Sequence, residues 1–463
     1  MKTFSISTLG CKVNQYESQQ IREFLNQHGL SQAEINQNPD LVIVNTCAVT
    51  STASAKSRQF IRKAQRQWPQ CTIIVCGCLP VTQDPELAKI GENVHCVQNR
   101  VNLAAELTHI INCATLTRHS EDTLSTQSTV IKTESPSKIN PGRKTSESLP
   151  SLSHFQGQTR AFIKVQDGCD GRCAYCIIPQ TRPTLSSRPV QDILDEAQAL
   201  VEGGHKEIVV TGIFLGAYGQ KTVRRAKWPN QHNPSLAQLV DKLAQVKDLH
   251  RIRLSSLEPS DLTKDLLDVI ASHSNIMPHL HLSLQSGSDT MLKRMGRQYS
   301  RLDFETVIQT VKDKLNRPAL TTDIIVGFPG ETDQQFQETV DLARLTGFSK
   351  IHVFSFSARQ GTAAANMPHK IQGPVIRERA NILRKLGLEL ARQFRHQFLG
   401  NQATILIEDA QELRCSGLSE RYFKVFVPQN GVKYRKNDLV TVTLKDHQDQ
   451  GLLSSIKEVD HNA

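Results

Sequence analysis

Gly168-Cys169-Asp170-Gly171-Arg172-Cys173-Ala174-Tyr175-Cys176 places three cysteines in one short loop with the spacing Cys-x3-Cys-x2-Cys. Residues 161–165, just before it, form a short apolar run that reads as a strand, so the loop leaves a strand's carboxyl end. A [4Fe–4S] cube is normally held by four thiolates. Three thiolates therefore hold three irons and leave the fourth open, as catalytic metal sites keep an open position. The rival reading is a structural zinc loop with a distant fourth ligand, but zinc sites favour paired Cys-x2-Cys hooks.

Around this loop, residues 159–370 alternate. Strands are expected at 161–165, 207–211, Arg251–Leu254, 279–284, 322–326 and 350–356, with helices such as Val190–Glu202 and 334–345 between most of them. Such strand-then-helix repeats predict an open or partial β/α barrel. Thr211-Gly212, Ser255-Ser256 and Glu258 fall at carboxyl ends of strands, where such barrels build their sites. Each could equally cap a strand end, because such loops need hydrogen-bonding residues.

In residues 371–400, Ile376, Ala380, Leu383, Leu386, Leu390, Phe394 and Phe398 recur at helical spacing, with Arg377, Arg379, Arg384 and Lys385 between them. This predicts a connecting helix with an apolar face on the barrel and a solvated basic face. Residues 401–463 turn to strands, expected at 403–408, 423–427, 439–444 and 452–456, which fits a small β-barrel.

On the amino-terminal side, residues 1–113 read as a parallel-sheet α/β domain. Its expected strands are Thr3–Thr8, 41–44 and 72–75, and its helices 16–28 and Ser51–Gln67. Cys11, Cys47 and Cys78 each follow one of these strands. Parallel strands deliver their carboxyl ends to one sheet edge, where open α/β folds place ligands, so the three could share a second cluster. A buried core cysteine is the alternative for each, and Cys76 rivals Cys78 as the third ligand. Cys71 reads as core; Cys96, Cys113 and Cys415 read as structural. Residues 114–158, rich in Ser, Thr, Lys and Pro, carry no hydrophobic period and read as a linker.

Over the 463 residues, 55 Lys and Arg against 45 Asp and Glu give a formal charge of +10, which suits a polyanionic partner. No apolar run reaches the roughly 18 residues that a membrane span needs. The start lacks the apolar core of a signal peptide, so a cytoplasmic location is expected. In that compartment eleven cysteines argue for metal or redox chemistry over disulfides.

Several stretches together resemble the methylthiotransferase family of radical S-adenosylmethionine enzymes. They are Thr8-Leu9-Gly10-Cys11-Lys12-Val13-Asn14, Asn45-Thr46-Cys47-Ala48-Val49-Thr50, Cys76-Gly77-Cys78, the cluster loop, and residues 207–213. Arg253-Leu254-Ser255-Ser256-Leu257-Glu258-Pro259, residues 279–297, 323–331, 354–357 and Gly361-Thr362 complete the set. Within the family, Cys11-Lys12-Val13-Asn14 and Leu254-Ser255-Ser256-Leu257-Glu258-Pro259 resemble the branch acting on N6-threonylcarbamoyladenosine beside the tRNA anticodon. The alternatives are isopentenyladenosine in tRNA and a ribosomal protein side chain.

The resemblance implies two [4Fe–4S] clusters, one on Cys169, Cys173 and Cys176 and an auxiliary one on Cys11, Cys47 and Cys78 that serves sulfur insertion. It implies S-adenosylmethionine used twice, as methyl donor and as source of a 5′-deoxyadenosyl radical. Tyr175, Thr211, Gly212, Ser255, Ser256 and Glu258 become the candidate cofactor-binding residues. The implied fold is the N-terminal α/β domain, a partial barrel of the radical type, and a small TRAM-like C-terminal β-barrel that binds RNA. The implied partners are tRNA, an electron donor and a sulfur donor. The chain departs from the family pattern at Pro183 and Ser186, within 182–188, where the family usually has Gly and Arg; proline removes an N–H and fixes φ. Residues 221–233, with Lys221, Arg224, Arg225, Lys227 and Trp228, follow the strand 207–211 and are expected on the cluster-loop face, as phosphate and base contacts or as a solvated loop.

Overall fold

The computed structural model describes all residues except 35–36, 88, 120–147, 225–232, 412–413, 430–431, 449 and 456–463. The chain divides into two compact units, Met1–Ser151 and Leu152–Ala463.

The first unit runs β1 (Thr3–Thr8), α1 (Lys12–Gln27), β2 (Ser31–Gln32), β3 (Leu41–Thr46), α2 (Ser51–Gln67), β4 (Thr72–Gly77), β5 (Val94–Cys96) and α3 (Leu103–His119). Its five strands are all parallel, in the order β2-β1-β3-β4-β5. Helices cover both faces. Ile21, Phe24, Leu25, Leu103 and Leu107 pack on one side with Phe4, Leu41, Ile43 and Ile74. Ile61 and Ala64 pack on the other with Val42, Val44, Ile73 and Val75. Burial on both faces explains why β3 is a continuous apolar run rather than an alternating one.

The second unit begins earlier than its composition suggests. Leu152 and Phe155 are buried, the Leu152 N–H donates to Glu196 Oε1 at 2.9 Å, and the Phe155 ring meets Phe162 edge-on at 5.2 Å. On the other side, α3 continues past residue 113. Most of the expected linker, 120–147, lies outside the described residues.

The unit then runs β6 (Ala161–Asp167), α4 (Ile178–Thr181), β7 (Ser186–Ser187), α5 (Val190–Glu202), β8 (Glu207–Gly212), α6 (Pro234–Ala244), β9 (Arg251–Leu254), α7 (Lys264–Ser272), β10 (His279–His281), α8 (Asp289–Arg294), α9 (Arg301–Lys314), β11 (Ala319–Val326), α10 (Asp333–Thr346), β12 (Lys350–Ser355) and α11 (Gly373–His396). β6, β8 and β9 pair in parallel, as do β10, β11 and β12. Isolated parallel bridges, Ile252 to Ile276 and Leu257 to Leu282, join the two sets into a partial barrel. β10 ends before the expected 284 because Leu282 turns to bridge Leu257 and Gln285 adopts φ +67°.

β13 (Gln402–Ala410), β14 (Arg414–Leu418), β15 (Lys424–Pro428), β16 (Leu439–Gln448) and β17 (Gly451–Ser455) close into a small barrel. β14 is a fifth strand that the periodicity does not show. Its Ser416 and Gly417 break the apolar alternation, and a Cβ on Gly417 would stand 2.0 Å from the Leu406 carbonyl oxygen.

This barrel docks at the amino ends of the partial-barrel strands. Arg251 donates to the carbonyls of Leu418 and Thr404, and Arg253 to those of Ser419 and Glu420. Arg253 also pairs with buried Glu207 at 2.7 Å. The Tyr422 ring lies 4.5 Å from that of His279, with the Arg253 guanidinium 4.8 Å from its centre. Along α11, Arg379 is not part of the solvated face. It is buried and bonded to Glu331 and Asp333, each at 2.7 Å, because it sits between the helix and the loop after β11.

Candidate active site

The cluster loop is tied down on every side. Gly168 takes φ +80°, and a Cβ there would lie 1.9 Å from the Thr184 carbonyl oxygen. Only glycine tolerates both demands. The Cys169 N–H donates to the Arg182 carbonyl at 2.9 Å, while the buried Arg182 guanidinium reaches Asp167 at 2.7 Å. Pro183 is therefore accommodated, since the loop's anchors are Arg182 and Thr184. Ser186 and Ser187 simply extend the sheet as β7 beside β6. Ala174 accepts from Ala364 and donates to Met295, each at 2.8 Å. Gly296, at φ +74°, lets the next turn close on Arg172.

Cys169, Cys173 and Cys176 line one pocket at the carboxyl ends of the strands. Burial, with the neighbouring thiols, pushes Cys169 up to about 11 and Cys176 up to about 12. Without metal these thiols hold their protons, and iron must displace them. Among the described residues no three such side chains close on one point as ligands of a single metal ion do; the three sulfurs stand around the pocket wall.

Tyr175, Ser256 and Glu258 line the same pocket, as do Ile213, Phe214, Ser283, Gln285 and Arg297. Thr211 and Ser255 are buried at the ends of β8 and β9, behind that lining, and Gly212 pairs with Gln166 in the sheet. The Ser255 Oγ is buried without a hydrogen-bond partner among the described residues.

Arg297 is the residue that sequence reasoning passed over. Its guanidinium, 5% exposed, donates to Glu258 Oε1 at 2.6 Å, to Cys173 Sγ at 3.2 Å and to the Tyr175 hydroxyl at 3.3 Å. Burial holds the Tyr175 and Tyr299 phenols well above their ordinary range, so both stay protonated. The one signal was Gly296 before it, a glycine that marks a tight turn.

Residues 221–224 do pack on the cluster-loop face. Asp170 accepts from the Thr222 hydroxyl at 2.6 Å and the Val223 N–H at 2.9 Å. Residues 225–232, with Arg225, Lys227 and Trp228, lie outside the described residues.

In the first unit, the order β2-β1-β3 makes β1/β3 the point where the chain switches direction across the sheet. Open α/β sheets bind ligands outside the carboxyl ends at that point. Cys11 follows β1 and caps α1; Cys47 follows β3; Cys78 follows β4. Their loops are stitched together. The Asn14 amide donates to the carbonyls of Leu9 and Thr46, and the Cys78 N–H donates to Thr46 O at 2.9 Å. A Cβ on Gly10, at φ +128°, would stand 2.8 Å from Cys47 Cβ. Arg100 donates to Cys78 Sγ at 3.1 Å. Cys76, by contrast, lies inside β4 and packs with Phe4, Ile74 and Leu107. Cys71 and Cys415 are core, Cys96 is exposed at the end of β5, and the side chain of Cys113 lies outside the description.

Comparison with known proteins agrees with both halves. Residues 163–343 match the radical SAM superfamily and residues 3–99 the uncharacterized protein family UPF0004. The chain is 36% identical to a threonylcarbamoyladenosine tRNA methylthiotransferase of Chlamydia pneumoniae, covering 98% of each. It is 35% identical to that of Bacillus subtilis, covering 92% of this chain and 90% of the relative. A tRNA-2-methylthio-N(6)-dimethylallyladenosine synthase of Staphylococcus haemolyticus is 29% identical over 99% of this chain and 85% of its own. Among solved structures, the radical S-adenosylmethionine methyltransferase TsrM of Kitasatospora setae, with cobalamin and a [4Fe-4S] cluster bound, shares the fold. Its TM-score is 0.52 at 14% identity, over 79% of this chain and 77% of that one. The chain belongs to the tRNA methylthiotransferase family of radical S-adenosylmethionine enzymes.

Proposed function

We infer that this protein transfers a methylthio group to C2 of N6-threonylcarbamoyladenosine next to the anticodon of tRNA. The observation that carries the reading is near-full-length identity to relatives named for that reaction, 36% against 29% for one named for the dimethylallyl nucleoside. When bound, a [4Fe–4S] cluster with S-adenosylmethionine supplies a radical able to remove a hydrogen that is not acidic enough for general-base chemistry, and a second cluster supplies a place for sulfur.

The chain's own residues hold and exclude. Cys169, Cys173 and Cys176 take the first cluster; Cys11, Cys47 and Cys78 take the second. Glu258, fixed by Arg297, presents a carboxylate at the pocket wall that suits an ammonium or ribose hydroxyls. Tyr175 and Ser256 add neutral donors at the same wall, with Ser255 behind them. Thr211 and Gly212 shape the strand end behind them. Ile213 and Phe214 provide an apolar wall that keeps water from the reacting centre.

In this reading 1–113 is the methylthiotransferase part, 114–158 the linker, 159–370 the radical part, 371–400 the connector and 401–463 the RNA-binding barrel. An electron donor and a sulfur donor are supplied from outside the chain. A tRNA substrate supports a cytoplasmic location for the enzyme. Among the described residues no helix is long and apolar enough to cross a membrane. Mass analysis of tRNA nucleosides from a deletion strain tests the reading. Loss of the methylthio form of threonylcarbamoyladenosine alone supports it; loss of the isopentenyl product, or of a protein modification with tRNA intact, overturns it.

A further inference from the structure

Both cysteine sets meet a guanidinium, and the two meetings differ in charge. Arg297 donates to Cys173 Sγ at 3.2 Å, but Glu258 neutralises it at 2.6 Å. In the first unit, Arg100 Nη2 donates to Cys78 Sγ at 3.1 Å, across 22 positions of sequence. Among the described residues no carboxylate pairs with Arg100, and its side chain has Cys78 as its one hydrogen-bond partner.

The fold explains how they meet. Arg100 opens the short helical turn Arg100–Asn102 between β5 and α3. β5 pairs in parallel with β4, so the chain leaves both strands at one sheet edge, where Cys78 also sits. Arg100 is half-buried and its Nε is fully covered, so water screens the guanidinium only in part. A guanidinium keeps its charge throughout the physiological pH range.

Two helices begin at the same edge. α1 starts at Lys12, directly after Cys11, and α2 starts at Ser51, shortly after Cys47. Helix N-termini carry partial positive charge and favour Asp or Glu in the first turn. Neither helix has an acidic residue there. Both helix starts and Arg100 therefore favour negative charge at this edge, and three thiolates on one cube gather it there.

We propose that Arg100 is a positioning residue for the auxiliary cluster: its guanidinium braces Cys78 and raises the reduction potential of the group that Cys11, Cys47 and Cys78 hold. The inference rests on the reading of these three cysteines as cluster ligands. Hydrogen bonds to ligating sulfurs and nearby positive charge both stabilise the electron-rich form of a cluster. Cys78 receives both from one side chain. Cys173 receives the hydrogen bond with its charge cancelled by Glu258, so the two sites differ electrically.

The test isolates the auxiliary cluster in the full chain by replacing Cys169, Cys173 and Cys176 with Ala. Into that background go Arg100→Gln, which removes the charge, and Arg100→Lys, which keeps it. Iron content and the midpoint potential, from a redox titration followed by EPR, are measured for the three proteins. Arg100→Gln should keep its iron and become harder to reduce by roughly tenfold in the equilibrium, about 59 mV for one electron. Arg100→Lys should lie nearer the parent. An unchanged potential in iron-loaded Arg100→Gln overturns the proposal. If Arg100→Gln loses its iron, Arg100→Lys decides: full iron there supports the role of the charge. Loss in both variants overturns it, because the shape of the arginine would then account for the effect. A parent background without iron overturns the reading of the three cysteines, and this proposal with it.

Discussion

Arg297 Nη2 donates to Glu258 Oε1 at 2.6 Å, and the same guanidinium reaches Cys173 and Tyr175 of the cluster loop. One side chain thus ties the cluster loop to the candidate cofactor carboxylate at the end of β9. Replacing Arg297 by Met should cost about 3–5 kcal/mol, because it removes one partner of a buried pair. Urea unfolding of the iron-free protein measures this, and affinity for S-adenosylmethionine should fall with it. Arg297→Lys should keep part of the stability yet lose the three-way contact. Unfolding of Arg297→Met within 1 kcal/mol of wild type would refute the role.

The two cysteine sets lie in separate compact units. Replacing Cys169, Cys173 and Cys176 by Ala should therefore leave about half of the iron, since four cysteines or three plus a ligand serve each cube. S-adenosylmethionine cleavage should disappear. Iron equal to wild type, or no iron in a still-folded protein, would contradict separate sites.

Replacing Cys11, Cys47 and Cys78 should give the converse: 5′-deoxyadenosine still forms and methylthio product is lost. The comparison of Cys76→Ala with Cys78→Ala is sharper. Cys76 packs in the core, so its loss should lower stability modestly, on the order of 1 kcal/mol, and leave iron intact. Cys78→Ala should lower iron. The opposite pattern would make Cys76 the third ligand.

Glu207 is buried, which raises its carboxyl, yet Arg253, Arg160 and Arg251 more than compensate and hold it below its ordinary value of 4.5. A depressed carboxylate contributes stability that is fully present above the unfolded value and lost as pH falls through the folded one. The Glu207→Gln protein should therefore be less stable than wild type at pH 7. The gap should close only below about pH 4.5. Urea unfolding of both proteins between pH 7 and 3 reads this directly; a gap constant with pH would show that the charge is not what joins the small barrel to β8 and β9.

Sequence by itself determined the chemistry and most of the frame. The Cys-x3-Cys-x2-Cys spacing is local, so three thiolates within one loop needed no fold to be recognised. Strand periods placed β1, β3, β4, β6, β8, β9 and β11 because buried parallel strands are short apolar runs bounded by turns. Only the tertiary structure showed that Cys76 lies within β4, packed with Phe4 and Leu107, while Cys78 follows the turn at Gly77, φ +91°, and packs on the opposite side of the sheet. Only it brought Arg297 to Glu258, 39 positions away in sequence, since no spacing rule links two turns of a barrel. It alone added β14, whose small residues carry no hydrophobic period, and turned Arg379 inward to Glu331. Local patterns fix what a segment can be; long-range packing fixes which side chains meet.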